Sequence, residues 1–502
     1  ISHSDRMAEP GASNQQTSED ATFSWQVIRS LLYSGVGTTA SKVLNVVALL
    51  VVLKLISASA FGVASIVLAI FSILRAVTEL GLGVAIVQAQ DISREEIDSL
   101  FWLSLLVSGT IFLLLAASAP LVSWFYEEPQ LTGLIQVYGL SVVLFSFYFV
   151  SKNLLTKEMA FGRIVFAENA ALLGSSLIMI AFAYFGFGAW AIIFGELGKR
   201  IGQLVLFHYF RPYVPGWTFN WTVVKPHVTF GLYATGSRLI SNFNNNADYL
   251  IVGKAFGPEA VGIYAIAYRI VSDPVRTLAS TINDVAYPAF SELQDQLERL
   301  RTYFFTISRA SLSLIGLVLV VVAIYIEDLL VIGGYDQYLD AIPLVHVFAG
   351  IGIVRCVTPI VPQLLNAKGE ARLNFHYQVA SAILLPAAFI VGAQFSLMGV
   401  AWSWVVAYPL LALLLFYYGA RQLDLFLFAT LRRIIPGGVI LLPVLSVGVG
   451  IAFLTNLYLP DLQIAALGIG VLATLGIGVG LIAFNEREAI SVLRGHYSAE
   501  NA

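Results

Sequence analysis

Six basic residues fall inside stretches that are otherwise apolar: Lys42, Arg75, Arg238, Arg269, Arg276 and Arg355. Fixed cations in apolar surroundings bind anions through charge-assisted hydrogen bonds to carboxylate or phosphate oxygens. At the centre of a bilayer each would cost about 2.5–3.5 kcal/mol on insertion scales, so they must face partners or a wet cavity. Arg269 and Asp273 are spaced i, i+4, and Asp273 and Arg276 i, i+3, which favours mutual pairing on one helical face. Arg75 and Glu79 share the i, i+4 spacing and read equally well as a pair or as a binding group. Lys42, Arg238 and Arg355 have no acid on their own segment, so they are the better candidates for contacting a ligand.

Their neighbours fit that reading. Ser34, Thr38, Ser41, Lys42 and Asn45 fall on one helical stripe, and so do Thr235, Arg238, Asn242, Asn245 and Tyr249. Two polar stripes describe the lining of a water-filled cavity, with Asn45, Asn242 and Asn245 among the groups that would face its contents. Glu79, Glu196, Asp248 and Asp273 are candidate counter-ions or ion carriers. Other chemistries lack their residues. No G-x-x-x-x-G-K-[ST] phosphate loop, H-E-x-x-H metal motif or TVGYG filter occurs, and the six histidines are scattered. Four methionines make a soft-metal pathway a poor fit. Cys356 is the single cysteine, so no intrachain disulfide can form. No cofactor or metal is expected.

The elements that would hold these groups are membrane spans. The chain has 502 residues, 58% of them apolar and 12% charged, with a mean hydropathy of +0.81. That is about half the charged fraction of a typical soluble domain. The composition implies an all-α polytopic membrane protein, because open strand edges leave backbone groups unsatisfied in lipid. A net charge of −3 gives no reason to expect nucleic-acid binding. Fourteen segments are long and apolar enough to span, at roughly 30–53, 61–86, 100–123, 133–151, 164–185, 189–209, 228–252, 260–285, 305–326, 341–365, 375–394, 397–418, 433–456 and 462–484. Residues 1–24 are polar and form no secretory signal; 1–29 read as a disordered tail. Ile1 is no initiator, and Met7 fits a native start with residues 1–6 an addition.

Lys and Arg in the loops orient the spans. Twenty fall on one side, including Lys199 and Arg200, against Lys54 and Lys254 on the other. That places both termini in the cytoplasm. The opposite loops are short, and the longest, about 327–340, has no room for a catalytic domain. An enzyme is therefore not expected.

Spans one to six and seven to twelve repeat each other. Gly35…Ser41-Lys42-Val43-Leu44 matches Gly231…Ser237-Arg238-Leu239-Ile240, and Ala60-Phe61-Gly62-Val63 matches Ala260-Val261-Gly262-Ile263. Six is even, so the copies share one orientation and imply a pseudo-two-fold axis along the membrane normal, with a site between two lobes. The expected organisation is a tail (1–29), an N-terminal lobe (30–211), a cytoplasmic linker (212–227), a C-terminal lobe (228–420), two extra helices (421–485) and a cytoplasmic tail (486–502).

A family resemblance rests on Ala60-Phe61-Gly62, Glu79-Leu80-Gly81-Leu82-Gly83 and Val87-Gln88, then Phe230-Gly231, Asp248…Ile251-Val252-Gly253 and Gly262-Ile263-Tyr264…Ala267-Tyr268-Arg269. Tyr287-Pro288-Ala289-Phe290-Ser291 is similar to the family's Phe-Pro-x-x-Ser segment with its first aromatic changed. In this order, over about residues 25–485, the chain resembles the Wzx-type flippases of the multidrug/oligosaccharidyl-lipid/polysaccharide exporter superfamily, above all the colanic-acid-exporter-like branch. The resemblance implies a V-shaped, two-lobed helical fold working by alternating access. It also implies a polyprenyl diphosphate carrying an oligosaccharide repeat as substrate. Lys42, Arg238, Arg355 and Arg75 would then take the diphosphate, and Asn and Tyr side chains the sugars. Membrane lipid, a polysaccharide polymerase and a chain-length regulator would be the partners, and a monomer would suffice. Alternatives are a peptidoglycan lipid II flippase and a cation-coupled multidrug exporter of the same superfamily. The latter would favour an acidic or aromatic cavity.

Overall fold

The computed structural model describes residues 44–79, 82–89, 91–458 and 462–485. The tails, Lys42 and the rest of the polar stripe before Asn45 lie outside them, as does the Glu79 side chain. Among the described residues the chain is helical throughout, and 11 helices are long and apolar enough to cross a membrane. It is a multi-pass membrane protein.

Of the fourteen predicted segments, that at 30–53 is described only as the short helix Leu44–Leu55, that at 189–209 falls on a helix outside the 11, and those at 228–252 and 260–285 share the stretch Arg238–Glu292; the other ten fall on separate stretches among the 11. The elements are α1 (Leu44–Leu55), α2 (Ala58–Glu79), α3 (Leu82–Gln88), α4 (Arg94–Tyr126), α5 (Gln130–Lys157), α6 (Phe161–Tyr184), α7 (Ala189–Phe210) and α8 (Trp221–Asn244). They continue as α9 (Ala247–Glu292), α10 (Leu297–Gly333), α11 (Ile342–Arg355), α12 (Ile360–Ala367), α13 (Ala371–Ala393), α14 (Leu397–Gln422), α15 (Leu427–Ile434), α16 (Pro436–Val439), α17 (Leu441–Tyr458) and α18 (Gln463–Asn485).

Three breaks depart from simple spans. Gly257, at φ +81°, splits α9 just before Pro258, a conformation that glycine adopts without a Cβ penalty. Predicted span seven is interrupted at Asn245-Asn246, where the Asn245 and Asn246 side chains donate to the Ser241 and Asn242 carbonyls at 2.9 and 2.8 Å. Short amide side chains that bond nearby backbone compete with the helical ladder. Predicted span ten is also two helices, α11 and α12. Pro359 has no N–H to donate and restricts Thr358. The Cys356 carbonyl freed there accepts a hydrogen bond of 2.8 Å from Ser311 Oγ.

A further correction concerns Lys199 and Arg200, counted above with a loop. Both lie within α7. Arg200 donates to Tyr148 Oη at 3.1 Å and to Gln203 Oε1 at 3.2 Å.

The helices form two compact units. The first holds residues up to Leu55, Thr78–Ala119 and Thr132–Ala234; the second holds Ile56–Val77, Pro120–Leu131 and Thr235 onward. In the first, α6 packs along α7, and buried serines join α4 to α5: Ser146 bonds Ser104 at 3.0 Å and Ser108 at 2.8 Å. Hydroxyls bonded across helices are a common glue where lipid supplies no hydrophobic drive. In the second, α9 is the central post, packed by α10, α11, α12 and α13. α17 and α18 pack on each other and on α10, where Tyr325 Oη meets Thr474 Oγ1 at 3.0 Å.

Candidate functional site

Both interrupted spans of the second unit border one cavity of about 670 Å³. α2 contributes Ser65 and Ser72, and the α8–α9 turn contributes Asn242, Asn245 and Asn246. From α9 come Tyr249, Tyr268, Arg269, Asp273 and Arg276; from α11 and α14 come Arg355 and Tyr408. Polar ends of broken helices around an internal cavity are how membrane transporters build binding sites without leaving backbone unsatisfied in lipid.

Arg355 is the last residue of α11, the end at which the helix dipole favours a cation. Its guanidinium lies over Trp404 at 4.7 Å, Tyr268 at 5.2 Å and Tyr408 at 5.6 Å. One nitrogen donates to Tyr268 Oη at 2.8 Å. Among the described residues this is its sole hydrogen bond, and a guanidinium has five N–H donors. The rings fix the plane of the fork and leave most of its donors for a guest.

Asp248 lies behind this cage and is fully buried. Its carboxylate accepts from Tyr264 Oη at 3.0 Å and from the Tyr249 amide at 3.0 Å. Tyr264 Oη in turn accepts from Trp404 Nε1 at 3.0 Å. A chain of contacts thus runs from Asp248 through Tyr264 and Trp404 to Arg355.

Arg276 lies 3.4 Å from Asp273, and Arg269 covers the Phe61 ring at 5.4 Å. Both arginines face the cavity, which the helical spacing alone had assigned to pairing. Three arginines against one aspartate leave this wall electropositive. Asn242 donates to the Ser72 carbonyl at 2.9 Å and Asn246 to Ser72 Oγ at 3.2 Å, so these amides also fasten α2 to the turn. The buried Ser65 hydroxyl and Asn283 Oδ1 line the cavity without a partner among the described residues, polar atoms that a hydrated or hydroxylated guest would satisfy.

The other predicted site residues lie elsewhere. Arg238 and Arg75 sit on exposed faces of α8 and α2 and are not among the lining residues. In the first unit, Asn45 accepts from Ser176 Oγ at 3.4 Å, and Glu196 is 3.9 Å from Lys199. Arg269 and Arg276 are the lining cations that spacing did not single out; a signal for them was their depth inside a span.

Residues 51–343 match the family described as polysaccharide biosynthesis proteins. The chain belongs to this family. It is 26% identical over 380 residues to the lipopolysaccharide biosynthesis protein WzxC of Escherichia coli (strain K12), covering 74% of each chain. It is also 26% identical over 335 residues to the teichuronic acid biosynthesis protein TuaB of Bacillus subtilis (strain 168), covering 66% of this chain and 69% of TuaB. Among solved structures, the fold matches the lipid II flippase MurJ in an inward closed conformation with a TM-score of 0.72. That match has 13% identity and covers 91% of this chain and all of that one. An inward-facing multidrug resistance transporter of the MATE family of the MOP superfamily matches at a TM-score of 0.62 and 15% identity, covering 76% and 94%. At these identities the structural matches establish the fold.

Proposed function

We propose that the protein flips an undecaprenyl-diphosphate-linked oligosaccharide repeat unit from the inner to the outer leaflet of a bacterial cytoplasmic membrane, by alternating access, for exopolysaccharide, capsule or O-antigen synthesis. It is a transporter and not an enzyme. The observation that carries the reading is the electropositive cavity: Arg269, Arg276 and Arg355 on one wall, within helices that cross the membrane. A diphosphate needs such cations, and Arg355 offers a planar fork suited to phosphate oxygens. Tyr249, Tyr268 and Tyr408 supply flat faces for sugar rings, and the serine and asparagine side chains supply hydroxyl partners. The polyprenyl tail stays in lipid. Lys42, Arg238 and Arg75 are kept as further contacts along the route, and Glu79, Glu196, Asp248 and Asp273 as groups that balance charge or carry an ion.

The membrane-potential argument supports the direction. Outward movement of about two negative charges runs with an inside-negative potential, worth roughly 2.3 kcal/mol per charge per 100 mV. The excess of Lys and Arg on one set of loops supports cytoplasmic termini. A single chain working as a monomer, handing its product to a polymerase and a chain-length regulator, completes the reading. A multidrug exporter for cationic drugs would suit an acidic or aromatic cavity; this one is aromatic, but its three lining arginines disfavour a cationic guest.

The test is flipping in proteoliposomes. Purified protein receives a fluorescent polyprenyl-diphosphate oligosaccharide, and access of an external quencher is followed for wild type and for Arg355→Ala/Arg276→Ala. Loss of transbilayer movement in the double variant, with normal protein levels, supports the reading. Unchanged movement refutes the cavity assignment, and wild-type activity on cationic drugs alone refutes the substrate.

A further inference from the structure

The segment joining α7 to α8, the start of the linker expected at 212–227, carries Pro212, Pro215 and Gly216 in ten residues. It is fastened along its length to the first turns of α4. Asp98, a buried carboxylate that the flipping mechanism does not use, is the centre of the fastening. It accepts from Tyr213 Oη at 2.6 Å and from Thr218 Oγ1 at 3.4 Å, and Arg94 Nε lies 3.3 Å away. Arg94 also reaches the Val214 carbonyl and covers the Tyr213 ring at 4.7 Å. Further along, Trp102 Nε1 donates to the Gly216 carbonyl at 2.8 Å and its ring stacks on Trp217. The Asn220 amide closes the strap on Ser99 Oγ at 3.0 Å. A Cβ at Gly216 would come within 2.5 Å of Asp98 Oδ2, so the backbone passes directly over the carboxylate.

We propose that Asp98 is a positioning residue: it holds 211–220 as a rigid strap on α4, and the speed of turnover depends on that restraint. This rests on the flippase reading, since the strap precedes the helix through which the chain passes from one unit into the other. A segment held up to Asn220 leaves the next bending point inside α8, at Pro226, where a ladder hydrogen bond is missing. Freeing the strap adds slack before that point, so movement of the flanking helices is no longer transmitted through a fixed arm. Substrate affinity, set in the cavity, stays as it was.

The experiment compares wild type, Asp98→Ala and Tyr213→Phe in proteoliposomes for flipping rate and half-saturating substrate, with backbone amide exchange in parallel. The expected result for Asp98→Ala is a rate at least tenfold lower, an unchanged half-saturation, and exchange at least tenfold faster across 211–220 but not in α5 or α6. Tyr213→Phe keeps the ring in its apolar setting and removes the hydroxyl alone. It should move the same readouts in the same direction by about threefold, and it serves as the test if Asp98→Ala does not fold. A Ser99→Cys/Asn220→Cys pair in the Asp98→Ala background should restore most of the rate when oxidised and lose it again on reduction. A loosened strap with a wild-type rate overturns the proposal, as does a raised half-saturation or an oxidised pair that fails to rescue. If wild type itself does not flip the probe, the flippase reading fails; unchanged exchange in Asp98→Ala would then overturn the clamp on its own.

Discussion

Gly62 and Gly262 make one contact twice. A Cβ on Gly62 would overlap the Pro258 carbonyl, and a Cβ on Gly262 would overlap the Ala58 carbonyl. All four residues are related by a single offset of 200, the one that aligns Ala60-Phe61-Gly62-Val63 with Ala260-Val261-Gly262-Ile263. The start of α2 and the part of α9 after Gly257 therefore cross with a local two-fold relation. Small residues there let two backbones touch.

The reciprocity predicts matched mutants. Gly62→Ala and Gly262→Ala should each destabilise by at least the 1–3 kcal/mol typical of overpacking, because the obstruction is backbone and cannot rotate away. The double variant should cost little more than either single, since one displacement of the two helices relieves both clashes. Thermal unfolding in detergent measures this, with Gly174→Ala as the control: a Cβ there meets nothing within 4 Å. Equal stability of Gly262→Ala and Gly174→Ala would contradict the close crossing.

Arg355 supplies a prediction that separates charge from shape. Arg355→Lys keeps the charge but loses the planar fork and most of the stacking on Tyr268, Trp404 and Tyr408. Hydrogen bonds to charged groups contribute about 1.5–3 kcal/mol, so Arg355→Ala should weaken binding of a polyprenyl diphosphate by roughly 10- to 150-fold. Arg355→Lys should fall between that variant and wild type. Tryptophan fluorescence titration reads the affinity. A lysine variant with wild-type affinity would mean that the fork has no role.

The sequence revealed the spans because hydropathy and length suffice to define a helix in lipid. It also offered a repeat, whose offset of 200 the Gly62–Gly262 crossing shares, and singled out Arg355, with no acid on its helix, which lines the cavity. It could not separate Arg269 and Arg276 from their i, i+4 and i, i+3 partner, because spacing states what can pair and not what else the group faces. The break at Cys356 was obscured, since it lies inside a largely apolar window, and the asparagine-rich run at 242–246 reads equally as a wet helix face or as a break. Arg200 was misplaced for the opposite reason: two adjacent cations look like a loop, although Tyr148 on α5 and Gln203 on the next turn of α7 hold one of them inside the helix. Asp98 gave no signal at all. Its i, i+4 neighbour Arg94 reads as an ordinary surface pair, and its hydroxyl partners Tyr213 and Thr218 lie 115 and 120 positions away in the chain.

Behind the cage, Asp248 tests how the polar chain supports Arg355. Asp248→Asn keeps the size and an acceptor for Tyr264, whereas Asp248→Ala leaves the Tyr264 hydroxyl without one in a fully buried place. An unsatisfied buried group costs about 1–3 kcal/mol. The alanine variant should therefore unfold at a lower temperature than the asparagine variant. If Asp248 also carries an ion, both variants should lose any dependence of flipping on an imposed ion gradient. Equal unfolding temperatures would show that Tyr264 finds another acceptor.

The strap gives a prediction in pH with a definite sign. Burial and the hydrogen bond to Asp98 push the Tyr213 phenol well above its ordinary range. Its neutral form is the one the folded strap holds, so its folded value exceeds its unfolded value of about 10. Such a group contributes stability that is fully present below the unfolded value and is lost as pH rises beyond it. At pH 7 the Tyr213 phenol contributes in full, and mild base should leave the strap's amide exchange, corrected for the intrinsic rate, unchanged. Above about pH 10 the wild type should lose stability more steeply than Tyr213→Phe, which has no phenol to ionise. Amide exchange of 211–220 between pH 7 and pH 11, corrected for the intrinsic rate, reads the difference; parallel curves for the two proteins would remove Tyr213 from the clamp.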